Sequence, residues 1–169
     1  MDFENLSDLP EWDDEEFDRL DESTKGESWK PDFTRSASKA LYQQWQQVMI
    51  VLQGVLETMN TEQRPDGFPS GYWEDHKAML LGDAYQVGVK IKSAEAGDLY
   101  MIRMENATII RKNAQFIKSS MLSMIAEKVI EKDHGYVIRE EIDKFRLLFK
   151  KWVASFQKDE FEDEWGLFV

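Results

Sequence analysis

The chain has 169 residues, a formal charge of −12 and no cysteine. The missing cysteines exclude disulfides, thiolate metal sites and thiol nucleophiles together. The acidity argues against a nucleic-acid partner, whose phosphates must be neutralised by cations. The negative charge is also unevenly placed. Residues 1–31 hold 12 carboxylates against Arg19, Lys25 and Lys30, a balance of −9, and residues 158–169 carry −4, which leaves 32–157 near neutral at +1. Such a distribution bears on partners and solubility rather than on chemistry.

The reading that follows is an acidic, aromatic-bearing N-terminal arm (1–31), a helical bundle domain (32–157) and an acidic, aromatic C-terminal tail (158–169). In the arm, Pro10 suits the first position of a short helix, with Glu11, Asp13 and Asp14 in the first turn complementing the macrodipole. Trp12, Phe17 and Leu20 lie apolar among the acids, and Glu22–Trp29 reads as a linker.

Four segments then carry apolar residues at helical spacing. The first runs Ala37, Leu41, Trp45, Val48, Leu52, Val55 and Met59, and ends in a turn-rich loop with Pro65, Gly67, Pro69 and Gly71. The second runs Trp73, Leu80, Ala84, Val87 and Ile91, with Gly97 expected at C′ and Asp98 as the next N-cap. Gly82 and Gly88 inside it lower helix propensity and allow close approach of a neighbour. The third runs from Ala107 through Ile117 to Met124 and is expected to continue to about Lys132 as one projecting helix ~50 Å long. Gly135 reads as its stop signal, and the fourth segment carries Ile138, Ile142, Phe145, Phe149, Trp152 and Phe156. With period-2 alternation nearly absent, the expected fold is all-α, an antiparallel four-helix bundle.

Several residues suggest chemistry. Projected on a helical wheel with Ile110 at zero, Arg103 falls near +20°, Asn106 near −40° and Asn113 near −60°, a polar ladder on the core-facing side with Ser120 at its edge. Two readings compete. One is a ligand pocket in which Arg103 holds an anion and the asparagines orient it. The other is a set of buried hydrogen bonds fixing helix register or oligomeric state. His76 and His134 are the only histidines. His76, followed by Lys77, meets the coarse demands of a histidine phosphotransfer bundle, but the residues after it lack the lysine–glycine spacing of those families. Glu131 and His134 form one Glu-x-x-His pair where di-metal carboxylate bundles need two. Arg111, Lys112, Lys118, Arg139, Arg146, Lys150 and Lys151 together suggest a basic face onto which an acidic end could fold.

No catalytic motif, phosphate loop, metal set or cofactor signature stands out. The expectation is therefore a non-enzymatic bundle acting through an unidentified protein partner, with Trp12, Phe17, Leu20, Trp165 and Phe168 as docking anchors and homodimerisation open. Histidine phosphotransfer at His76 and ligand binding at Arg103, Asn106 and Asn113 are the alternatives. The acidic N-terminal stretch has no signal-peptide pattern, and Val48–Leu56, the longest mainly apolar run, is too short to span a bilayer. A cytoplasmic location without a membrane partner is expected.

Overall fold

The computed structural model describes residues 9–21, 33–62, 66–97 and 99–168. The described residues form five helices: Asp14–Asp21 (α1), Phe33–Glu57 (α2), Tyr72–Ala96 (α3), Tyr100–Ala126 (α4) and Lys132–Ala154 (α5), with no strand. The fold is all-α, as the periodicity requires. The register contacts give an up-down-up-down bundle in which each long helix runs antiparallel to its neighbours. Trp45 on α2 donates its indole to the Ala84 carbonyl of α3 at 2.7 Å, and Asn113 on α4 reaches Gln86 on α3 at 2.6 Å. Lys118 on α4 pairs with Asp143 on α5 at 2.5 Å, and Gln44 on α2 with Glu141 on α5 at 2.8 Å. No described helix is long and apolar enough to cross a membrane.

The apolar stripes meet at the bundle axis. Trp45, Leu52, Leu80, Ile91, Ile110, Ile117, Phe145 and Trp152 are all buried, and the Trp45 and Phe145 rings lie 4.7 Å apart. Such ring pairs add to what area burial alone supplies.

Several boundaries depart from the sequence reading. The short arm helix starts at Asp14 rather than Pro10, because Asp13 is its N-cap: its Oδ1 accepts the amides of Glu15 (2.9 Å) and Glu16 (3.3 Å). The third segment does not project as one long helix. It spans 27 residues, about 40 Å, and stops at Lys128, whose φ is +58°. There the Val129 amide donates to the Met124 carbonyl (2.9 Å) and the Lys128 amide to that of Ile125 (3.0 Å). This is the Schellman pattern with lysine at the left-handed position.

Gly135, expected as a stop, lies inside the first turn of α5 and is buried. A Cβ there would sit 2.6 Å from Ile125 Cδ1 and 2.9 Å from its Cγ1, so the missing side chain lets α5 return tightly against α4. Gly97 ends α3 in extended conformation (φ −110°) instead of the left-handed form. Asp98, the expected cap of α4, lies outside the described residues, as do Pro65 and the expected linker 22–29. The α4 N-terminus is instead met by the tail: Asp159 Oδ2 accepts the Tyr100 amide at 2.7 Å.

A β-carbon in the left-handed region costs about 1 kcal/mol, which glycine avoids. Lys128→Gly should therefore raise stability by up to about 1 kcal/mol, or ~2–4 °C in Tm for a chain of this size, whereas Lys128→Val should lower it. Thermal melts of the two variants check this.

Candidate functional site

Three polar regions and the two ends are the candidates. Arg103, Asn106, Asn113 and Ser120 are all buried on α4, and two of them reach α3. Arg103 Nε donates to the Ala94 carbonyl at 3.3 Å, and the Asn113 amide donates to Gln86 Oε1 and, at 3.4 Å, to the Asp83 carbonyl. Burial raises the carboxyl pKa of Asp83, against the opposing field of Lys112. Arg103 and Asn113 thus hold α3 by direct hydrogen bonds, the arrangement that fixes register.

His76 is half-buried in an aromatic cluster. Its ring lies 6.1 Å from Tyr72 in a stacked arrangement, 5.4 Å from Trp73 and 6.0 Å from Phe116. Its Nε2 and the neighbouring Trp73 Nε1 are buried without a hydrogen-bond partner, and burial lowers the imidazole pKa. A phosphoryl acceptor needs a nitrogen open to its donor, and Nε2 is enclosed. His134 and Glu131 are exposed at the start of α5. Among the described residues no three histidine, aspartate or glutamate side chains gather where they could hold a metal ion.

The polar centre that sequence reasoning missed is Glu95. Its side chain is 1% exposed and receives Arg35 Nε at 3.3 Å and Ser38 Oγ at 2.8 Å. Ser38 in turn accepts the Trp152 indole at 2.8 Å. One carboxylate thereby joins α2, α3 and α5. Arg35 extends the network to the arm through an ion pair with Asp18. Ser38 is fully buried, so this is a structural network and not a nucleophile beside a base.

The arm lies in the groove between α2 and α3. Leu9 fills the notch at Gly88, where a Cβ would stand 2.6 Å from Leu9 Cδ2. Tyr42 donates its hydroxyl to the Pro10 carbonyl, and desolvation pushes its pKa up to about 12. Trp12 packs 4.8 Å from Phe17 and 5.5 Å from Tyr42. Phe17, 3% exposed, has Arg35 and Lys92 each 5.9 Å from its ring centre. Lys39 binds Asp14 at 2.6 Å, and this hydrogen bond, with one from the Trp12 indole, holds the Asp14 pKa down. Lys92 reaches Glu16 at 3.4 Å and the Glu11 carbonyl at 3.3 Å. The side chain of Leu20 lies outside what is described.

The arm therefore does not occupy the basic face expected on α4 and α5. Much of that face is already engaged. Asp143 takes both Lys118 and Arg146, at 2.5 and 3.2 Å, which depresses its pKa, and Arg139 donates to the Lys118 carbonyl at 2.6 Å. The cations that receive the arm are Arg35, Lys39 and Lys92. Spacing gives a partial signal for the first two, four apart on one face of α2.

The tail is the opposite case. Beyond Asp159 it forms a turn in which the Leu167 amide donates to Asp163 Oδ2 at 2.8 Å and the Gly166 amide to the Asp163 carbonyl at 2.9 Å. Trp165 is 87% exposed, Phe161 69% and Leu167 53%, while Phe168 is half-buried at positive φ. A scan of protein-family models finds no match to this chain, and comparison with curated proteins and solved structures finds none either.

Two outcomes follow from the buried groups. Glu95→Ala removes the acceptor of Ser38 and one acceptor of Arg35, which keeps its ion pair with Asp18, and should destabilise the chain by about 1–3 kcal/mol, with Glu95→Gln costing less; urea unfolding measures both. The lowered pKa of His76 means that the unfolded chain takes up this proton first. Stability from a neutral His76 is present above about pH 6.5 and is lost as pH falls toward the lower folded pKa. Melts between pH 8 and 5 should therefore show a decline that His76→Gln flattens; the Asp14 and Asp143 contributions are lost only in more acid solution.

Proposed function

We propose that the chain is a non-enzymatic bundle acting through protein–protein contact, as an adaptor or regulatory element in the cytoplasm, with the C-terminal tail as its outward docking element. The observation that carries this reading is the exposure of Trp165 on a turn of defined geometry. Single exposed apolar residues are ordinary. Here Phe161, Trp165 and Leu167 stand together on nine residues that also hold Glu160, Glu162, Asp163 and Glu164. Aromatic anchors supply much of the energy of protein interfaces, and surrounding carboxylates steer approach to a basic partner. The hydrogen bonds of Asp159 and Asp163 reduce the ordering entropy that binding must supply. The Asn113–Gln86 contact favours the register role for the ladder over a ligand pocket.

The test compares affinity capture by the full chain and by a Trp165→Ala/Leu167→Ala variant. Loss of an interface anchor is expected to weaken recovery of a specific protein by about 30-fold, with the melting temperature of the bundle unchanged. Equal recovery by both chains would remove the tail from the function.

A further inference from the structure

We propose that the α2–α3 groove occupied by the arm is also a receptor for the C-terminal tail of a second copy of this chain, with the arm as its intramolecular competitor. This rests on the reading of the tail as a docking element and names its partner.

The groove's preference is defined by what fills it. It offers a notch at Gly88 for an apolar side chain, the Tyr42 ring for an aromatic one, and Lys39 and Lys92 along its rim for carboxylates. The arm satisfies these demands with Leu9, Trp12 and Phe17 among Asp14, Glu16 and Asp18. One other stretch of the sequence has the same make-up: Phe161, Trp165, Leu167 and Phe168 among Glu160, Glu162, Asp163 and Glu164. The two ends differ in state. Leu9 and Phe17 are buried, while Phe161, Trp165 and Leu167 face solvent.

The arm's hold suits a competitor. Its ion pairs are made by exposed carboxylates, with Asp14, Glu16 and Asp18 side chains 48, 53 and 68% exposed, and such pairs add little and are screened by salt. Its remaining grip is apolar contact of the kind the tail also offers, with two backbone carbonyls, those of Pro10 and Glu11, held by Tyr42 and Lys92.

Connectivity selects a second copy. The tail is fixed at Asp159 to the first amide of α4, and α4 lies diagonally across the bundle from α2. In this structure the tail stays off its own groove: the 163–167 turn is held by Asp163 and Trp165 is 87% exposed, while residues 160–162, the stretch left to extend, span about 10 Å. A neighbouring molecule has no such tether. Each copy then carries one groove and one tail, so reciprocal exchange closes a two-fold pair.

The experiment uses the full chain with the arm loosened by Asp14→Lys/Glu16→Lys/Asp18→Lys, all at exposed positions, and a fluorescent peptide of residues 156–169. The peptide should bind the arm-loosened chain at least ten-fold tighter than the wild type by anisotropy, and Gly88→Leu, which fills the notch and favours helix, should abolish that gain. In sedimentation equilibrium the arm-loosened chain should associate with rising concentration and return to monomer on adding Trp165→Ala. Equal peptide affinity for the loosened and wild-type chains, or association that survives Trp165→Ala, overturns the proposal. So does peptide binding by a chain that stays monomeric, which would return the tail to its own groove. If the capture experiment still yields an outside protein while the peptide ignores the groove, only this inference fails.

Discussion

Glu95 sets a carboxylate at 1% exposure between α2 and α3, and the bundle is arranged around keeping it satisfied. An unpaired charge at that depth costs several kcal/mol, so every helix that could satisfy it is constrained by it. Arg35 approaches one oxygen and Ser38 the other, which fixes the rotation of α2 about its axis as well as its height against α3. Because Ser38 also accepts the Trp152 indole, α5 is held to the same level. Apolar burial is non-directional, so these polar contacts add a directional constraint on the register.

The same division of labour recurs away from Glu95. Trp45 buries a large ring yet directs its N–H to the Ala84 carbonyl, and Asn113 ties α4 to two positions on α3. Both ends of the bundle carry a tie that crosses it. At one end the Asn60 amide, just past α2, donates to the Val129 carbonyl between α4 and α5. At the other, Thr34 donates to the Ser155 carbonyl and Asp159 accepts from Tyr100. The links that follow the helices are thereby part of the register and not slack between them.

The helical stripes were legible because burial imposes a period that survives in the sequence: Trp45, Val48 and Leu52 on α2, or Ile138, Ile142 and Phe145 on α5, can be placed on a core face with no knowledge of their neighbours. The ladder on α4 was legible for the same reason, since Arg103, Asn106 and Asn113 break that period visibly. Glu95 was not. It lies at the end of a polar run where a carboxylate looks solvated, and its partners are 57 and 60 residues away. Lys128 was illegible for a different reason. Glycine nearby drew the helix stop to 135, whereas the chain turns earlier on a lysine held in the left-handed region by the bonds of Val129 and by the burial of Val129 itself. Asp159, 59 residues from the amide it caps, carries no local signal at all.

Arm and tail show how little composition decides by itself. Both alternate carboxylates with large apolar side chains, yet Phe17 is 3% exposed and Trp165 87%. The difference lies in what each meets. The arm has a helix capped by Asp13 that carries the buried Phe17, a groove with cations on α2 and α3 that meet its carboxylates, and a glycine where Leu9 must enter. The tail leaves from α5, where Lys150 and Lys151 are exposed, but its local bonds run from Asp163 to its own backbone and turn the rings outward. Carboxylates do not prevent burial of a neighbouring aromatic when cations can follow them to the surface, as Lys39 and Lys92 do. Without such a surface they keep it in water, and the ring remains available to whatever can supply one.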